Sequence, residues 1–409
     1  MQVLLPGAIQ NLTRDGWLLF LTRLTRLFSY GALAVVLVLY LTGIGMSASE
    51  TGTLLTLTLL GDTAVSLWLT TQADRAGRRR TLIAGALLMA AAGLTFAVTR
   101  NVWALFVAGT VGVISPSGNE VGPFLSIEQA ALSQVVPRAQ RTSVFAWYTL
   151  TGAFATALGS LFAGVLVETL QKTGVAPVAS ERAVLFLYAL LGLVLALMFF
   201  RLSPTAEAPT ARVARMGLGP SRGPVLKLSS LFALDAFGGG FVVQSFAVYW
   251  FHLRFGANPA TLGGVFFGAN LFAGISALLA SRLASRLGLV KTMVFTHLPS
   301  NVLLILVPLM PTLPLAIAML LLRFSISQMD VPTRQSYTMA MVRPEERSAA
   351  AGVTGVARTL GAAVAPTFAG RLFAQPSLIG LPFYIAGTCK IVYDLLLYRA
   401  AAKLPQAEN

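Results

Sequence analysis

Apolar runs of membrane-spanning length follow one another from residue 17 to residue 398. A helix needs about 20 apolar residues to cross the hydrocarbon core. Twelve stretches approach that length, near 17 to 41, 50 to 70, 81 to 99, 102 to 125, 142 to 167, 182 to 201, 228 to 252, 259 to 281, 290 to 310, 314 to 336, 348 to 373 and 379 to 398. With 56% hydrophobic and 11% charged residues, several soluble domains are not a workable reading of 409 residues. The expected fold is an all-α membrane protein of twelve transmembrane helices. The formal charge of +15 would point to nucleic acid in a soluble chain. Here the basic residues sit between the runs, so no nucleic-acid partner is expected and the charge reads as a topology signal. Nineteen Lys and Arg fall on one face of the membrane and five, Arg100, Lys172, Arg182, Arg254 and Arg371, on the other. The positive-inside rule then makes both termini cytoplasmic, in a multi-pass protein of the plasma membrane, or of the inner membrane in a Gram-negative cell. One cysteine, Cys389, and two separated histidines, His252 and His297, leave no basis for a disulfide framework, a metal site or a cofactor.

A Pro, Gly, Ala and Arg-rich segment at 202–227 divides the chain into halves 1–201 and 228–409, each with six runs. The halves repeat. An offset of 209 places Gly31 on Gly240, Tyr40 on Tyr249 and Arg26 on Asp235; an offset of 206 places Gln129 on Gln335, Arg141 on Arg347 and Phe162-Ala163-Gly164 on Phe368-Ala369-Gly370. Two pseudo-symmetric six-helix bundles with a site where the repeats meet are the pattern of secondary transporters.

Charges inside the runs mark candidate sites, because one at a helix centre costs about 2.5–3.5 kcal/mol unless paired or hydrated. Asp62 lies twelve residues, hence roughly 18 Å, along its helix from Asp74, and is the first candidate for a proton-binding carboxyl. Asp235 and Glu120 are the others. Arg26 and Asp235, at matched positions, are candidates to pair with each other as a gate. Asp330 with Arg334, and Lys390 with Asp394, are spaced four apart and are expected to pair locally. Ser115 to Asn119 interrupts the fourth run, which makes Asn119 and Glu120 cavity candidates. Arg23, Arg26, Gln244, Arg334, Gln335 and Arg358 complete the expected substrate cavity. Phe124, Tyr148, Phe241 and Trp250 are candidates to stack on a substrate. His297, six residues past Lys291, reads as too near the cytoplasmic end for a proton relay.

The turn after the second run reads Asp74, Arg75, Gly77, Arg78, Arg79, Arg80. It resembles the signature loop of the major facilitator superfamily, with Thr70 in place of the leading glycine, and a degenerate copy stands at Ser285, Arg286, Gly288 and Lys291. The resemblance extends over the whole chain and implies a cytoplasmic gate formed by Asp74, Arg75, Gly77, Arg78 and Arg79. Gly352, Gly361, Ala365, Pro366, Ala369 and Gly370 resemble the glycine and proline spacing of the antiporter motif, displaced to the symmetry-related eleventh run. Gly352, Gly361, Pro366 and Gly370 would then allow that helix to bend.

No nucleotide-binding loop, zinc-protease pattern or nucleophile elbow occurs, so neither an enzyme nor an ATP-driven pump is expected. One charge crossing 100 mV yields about 2.3 kcal/mol, against about 1.4 for a tenfold concentration ratio, so a proton gradient suffices. The expected function is secondary active transport by alternating access: proton-coupled efflux of small, partly apolar compounds by a monomer. The alternatives are a facilitator or symporter of an organic anion, and a non-transporting receptor or scramblase on the same fold.

Overall fold

The computed structural model describes residues 12–137, 140–207, 219–343 and 346–401, with the side chains of residues 72, 74–76, 142 and 348 left out. The described chain is helical, and ten of its helical stretches are long and apolar enough to span a membrane. The first three passes are α1 (Arg14–Gly43), α2 (Ala48–Ala76) and α3 (Arg78–Val98). The fourth pass is two helices, α4 (Val102–Val111) and α5 (Phe124–Val135), and so runs ten residues beyond the 102–125 expected from hydropathy. Then come α6 (Arg141–Lys172) and α7 (Pro177–Phe200). In the second half, the seventh pass is split into α8 (Arg222–Gly240) and α9 (Gln244–Phe255). The eighth and ninth are α10 (Pro259–Leu287) and α11 (Leu289–Leu306). The tenth is split into α12 (Leu313–Ser327) and α13 (Asp330–Ala340), and α14 (Arg347–Phe373) and α15 (Leu381–Ala401) complete the twelve.

Local chemistry sets the helix ends. Thr13 caps α1 through Gly16 N–H, and Asn101 caps α4 through the amides of Trp103 and Ala104. Ser47 and Glu50 form a reciprocal capping box at the start of α2. The glutamate at 207 accepts from the amides of Arg78 and Arg79, 2.6 and 3.2 Å away, at the start of α3. Glu346 accepts from Gly219 and Ser221 N–H at 2.7 and 3.2 Å. These bonds fasten both described ends of the linker.

Close backbone approaches carry the repeat into three dimensions. A side chain at Gly31 would strike the Thr156 carbonyl, and one at Gly240 the Ala362 carbonyl. The residue pairs are related by the two offsets that align the halves. Likewise a Cβ on Gly164 would stand 2.8 Å from Gly263 Cα, and one on Gly370 2.8 Å from Gly52 Cα. The repeated Phe-Ala-Gly triplets therefore mark two equivalent crossings where only glycine lets the backbones meet. By contacts, the chain forms one compact unit of Met1–Met46, Leu60–Arg212 and Asn258–Phe267, and a second of Ser47–Leu59, Val213–Ala257 and Gly268–Asn409. In the second, Pro366 removes one backbone donor from α14, and the following amide, Thr367 N–H, turns to the Thr56 hydroxyl at 3.1 Å.

Candidate functional site

Among the described residues, each unit contains one buried cluster of charged side chains. In the first, Arg26 on α1 and Glu128 on α5 form a two-point pair, with Nη1 to Oε1 at 2.7 Å and Nη2 to Oε2 at 2.8 Å, and both side chains are fully buried. The Thr22 hydroxyl donates to Glu128 Oε1 at 2.9 Å and Tyr148 donates to Oε2 at 2.5 Å. Glu120 binds Arg23 and accepts from Arg26 at 3.1 Å. Arg23 lies over the Tyr148 ring and Arg26 over Phe124, at 4.4 and 4.7 Å. Those two aromatics, expected to stack on a substrate, instead pack against the protein's own guanidinium groups. Phe241 packs edge-on to Phe237, and Trp250 is buried among Phe251, Phe255 and Phe383.

The break in the fourth pass explains how α5 enters this cluster. Backbone groups freed between α4 and α5 find side-chain partners: Tyr188 donates to Val113 O at 2.7 Å, Tyr30 to Val121 O at 3.3 Å, Ser115 to Asn119 O at 2.7 Å and Thr156 to Gly118 O at 3.3 Å. Asp62 serves the same break. Its Oδ1 accepts the Gly122 N–H at 2.5 Å and the Ser66 hydroxyl at 3.2 Å, and it has no ion pair among the described residues. Asn119 is exposed within the break.

In the second unit, Asp235 on α8 is held by Lys390 Nζ at 2.7 Å and Arg334 Nη1 at 3.1 Å. Arg334 also pairs with Asp330 at 2.9 Å, as its spacing predicts. The local pair expected between Lys390 and Asp394 does not form. Lys390 turns to Asp235, whereas Asp394 pairs with His297 Nδ1 at 2.9 Å and accepts from Asn301 Nδ2 at 3.0 Å. His297 Nε2 stands 3.7 Å from Asp235 Oδ1. The histidine thus lies buried between two carboxylates, and its nearness to Lys291 in sequence was a poor guide, because α11 carries it inward to meet α8 and α15. Asn301 and Lys390 also went unassigned to the site; their partners are 93 and 155 residues away, with no local spacing to signal them.

Arg26 and Asp235, candidates to pair with each other, each have partners within their own unit. Their matched positions also relate the two clusters. The offset of 209 relates Arg26 to Asp235, and that of 206 relates Glu128 to Arg334, so the two units hold the same ion pair with its charges exchanged. Breaks in the fourth and tenth passes also correspond, since Phe124 and Asp330, the first residues of α5 and α13, differ by 206.

Other expected positions divide. Gln244 is buried at the start of α9 and accepts from Asn270 Nδ2 at 3.2 Å, whereas Gln335 is exposed. Arg358 makes no hydrogen bond or ion pair among the described residues. Gly361 abuts the Ala233 carbonyl of α8 and Gly370 abuts α2, while Gly352 faces open space and makes no close approach. In the signature loop, Gly77 has φ +97°, a conformation that favours glycine, between α2 and α3. The amides of Arg78 and Arg79 are taken by the glutamate at 207, a linker residue the loop motif does not include. The side chains of Asp74 and Arg75 lie outside the described residues.

Paired buried charges, broken helices and a repeated six-pass architecture describe a membrane protein with polar chemistry inside it. The family model of the Major Facilitator Superfamily matches residues 19–398. The chain belongs to the Major Facilitator Superfamily. As a member of that superfamily it is a multi-pass membrane transporter and not an enzyme. It is 32% identical over 419 residues to the uncharacterized membrane protein YJR124C of Saccharomyces cerevisiae, covering 94% of this chain and 93% of that protein. Among solved structures, the nucleoside transporter NupG has the same fold at 13% identity and TM-score 0.73, with 95% of this chain and 99% of that chain covered. A D-xylose-proton symporter matches at 15% identity and TM-score 0.69, with 96% and 98% covered.

Proposed function

We propose that this superfamily member is a secondary active transporter that works by alternating access and couples proton movement to the efflux of small, partly apolar compounds. The halves 1–201 and 228–409 would be the moving bundles and 202–227 their tether, in a monomer of the plasma membrane with both termini cytoplasmic. The observation that carries the reading is the environment of Asp62. Its carboxylate accepts two neutral donors, Gly122 N–H and Ser66 O–H, and pairs with no cation among the described residues. A carboxyl so placed can gain and lose a proton without breaking an ion pair, and each change alters its hold on the break between α4 and α5. Asp235 and Glu120 are less free, since each is bound by two cations. The small-residue run through Gly361, Pro366 and Gly370, packed on α8 and α2, supports export.

The test is proton movement in proteoliposomes when substrate is added. Wild type should couple the two fluxes, and Asp62→Asn should uncouple them while the variant remains folded. Intact coupling in Asp62→Asn would remove this residue from the proton path. A second reading, transport of an organic anion, is favoured by Arg323 and Arg358.

A further inference from the structure

The second unit has more fixed positive charge in its membrane-spanning cluster than its carboxylates neutralise. Arg323 on α12, Arg334 on α13, Arg358 on α14 and Lys390 on α15 face three acids, Asp235, Asp330 and Asp394. Four cations less three carboxylates leaves +1, and a protonated His297 would make it +2. The acids are already engaged: Asp235 by Lys390 and Arg334, Asp330 by Arg334, and Asp394 by His297 and Asn301. Arg323 and Arg358 are left over. Neither makes a hydrogen bond or ion pair among the described residues, and the Nε of each is buried without a partner. Both interact electrostatically with Asp235 and Asp330, and Arg358 also with Arg334, which places them beside the cluster. The single described ring contact is Arg323 against its neighbour Phe324, at 4.9 Å.

A guanidinium inside a membrane protein is costly to leave uncompensated, and its planar set of donors suits a carboxylate or phosphate. The two arginines of the first unit's cluster, Arg23 and Arg26, are closed by protein acids; among the described residues these two are not. We propose that Arg323 and Arg358 receive the anionic oxygens of the transported compound, so that the substrate is an organic oxyanion with a carboxylate or phosphate group. This inference rests on the transporter reading and narrows its substrate class. Arg334, committed to Asp235 and Asp330, serves as a fixture beside the site.

Thermal unfolding of the purified full chain in nanodiscs of phosphatidylcholine tests it, with benzoate, succinate and phenyl phosphate as probes and benzyl alcohol as the uncharged match. At least one anion should raise the unfolding temperature with concentration, as a ligand of the folded state must, and the alcohol should not. Arg323→Gln and Arg358→Gln should each weaken that anion at least tenfold and Arg→Lys should weaken it less, whereas Arg254→Gln should leave it unchanged. Without any probe, the two Gln variants should unfold at or above the wild-type temperature, since each removes a charge that lacks a partner. No shift with any anion, a shift that survives the double Gln variant, or two strongly destabilised Gln variants would overturn the proposal. Replacing part of the lipid with phosphatidylglycerol separates the sources. An arginine-dependent shift from that lipid, with none from the soluble anions, would assign the arginines to a headgroup and overturn the substrate role. Proton-coupled transport of an uncharged compound alongside absent anion binding would overturn this inference alone; anion binding with no transport in proteoliposomes would overturn the transporter reading.

Discussion

The first unit closes its buried ion pair, while the second leaves the equivalent pair connected to further groups. Arg26 and Glu128 meet at two points and are sealed by Tyr148, Thr22 and Phe124. Asp235 and Arg334 occupy the equivalent positions with reversed charge, yet they meet at one point and each also has another partner, Lys390 or Asp330. Beyond Asp235 lies His297, then Asp394 and Asn301. Duplication can therefore preserve a cross-helix ion pair while exchanging which helix carries which sign, because the attraction depends on the pair's geometry and not on its polarity. The spare charges differ as well: among the described residues, Asp62 in the first unit is an acid with no ion pair, and Arg323 and Arg358 in the second are cations with none.

The comparison breaks most decisively at Arg26. Arg26→Ala strands Glu128 in a fully buried position and should cost about 3–5 kcal/mol, measured as thermal unfolding in detergent. A loss under 1 kcal/mol would mean that the pair is not the anchor of the first unit. Asp235→Asn should be milder, about 2–3 kcal/mol, because Arg334 keeps Asp330 and only Lys390 loses its acid. Adding Lys390→Gln should recover part of that loss; if the double variant is worse than the single, the lysine has another partner. Tyr148→Phe, which removes one hydrogen bond to a charged acceptor, should cost about 1.5–3 kcal/mol with little effect on the second cluster. The smallest effect is expected where the linker meets α3. Glu207→Gln keeps the shape but removes the anion from a helix N-terminus, and should cost about 0.3–1 kcal/mol, diminishing with added salt. An effect independent of salt would point to shape, not charge, at that contact.

The other linker contact titrates. Hydrogen bonds from the Ser221 hydroxyl and from the amides of Gly219 and Ser221 hold the Glu346 carboxyl below the usual glutamate range. A depressed carboxyl supports the fold above its ordinary pKa and loses that support as pH falls through the lowered value. Protection of the Gly219 and Ser221 amides against hydrogen exchange should therefore persist into mildly acidic solution and disappear only below the ordinary glutamate range.

Much of the architecture was legible in the residues because membrane insertion is a local property. Length and apolarity locate a span without reference to any other span. The fourth pass was the exception: Ser126, Glu128 and Gln129 lower the hydropathy of α5, so all but its first two residues were missed. The repeat was legible too, because Gly31 and Gly240, or Gly164 and Gly370, meet a backbone so closely that no other residue serves. Apart from the Asp330–Arg334 pair, which its spacing of four predicts, the interior chemistry was legible only as an inventory. Arg26, Asp235, Glu120 and Asp62 could be picked out as charges in apolar runs, but the local pairing of Lys390 with Asp394 did not match the contacts they make, and the partners that Arg26 and Asp235 find within their own units were not foreseen.

The chain's own order of residues determined its twelve passes, their division into two related sets and the resemblance to its family, since each depends on runs, spacings and glycines that act within one helix or at one crossing. Beyond the local pair of Asp330 with Arg334, only the tertiary structure decided which charge meets which. Arg26 finds Glu128 across 102 residues and Lys390 finds Asp235 across 155, while acids nearer in sequence, Asp62 to the first and Asp394 to the second, are passed over. In a low-dielectric interior the choice among them depends on a few ångströms of separation, and helix packing and the breaks in the fourth, seventh and tenth passes set those distances.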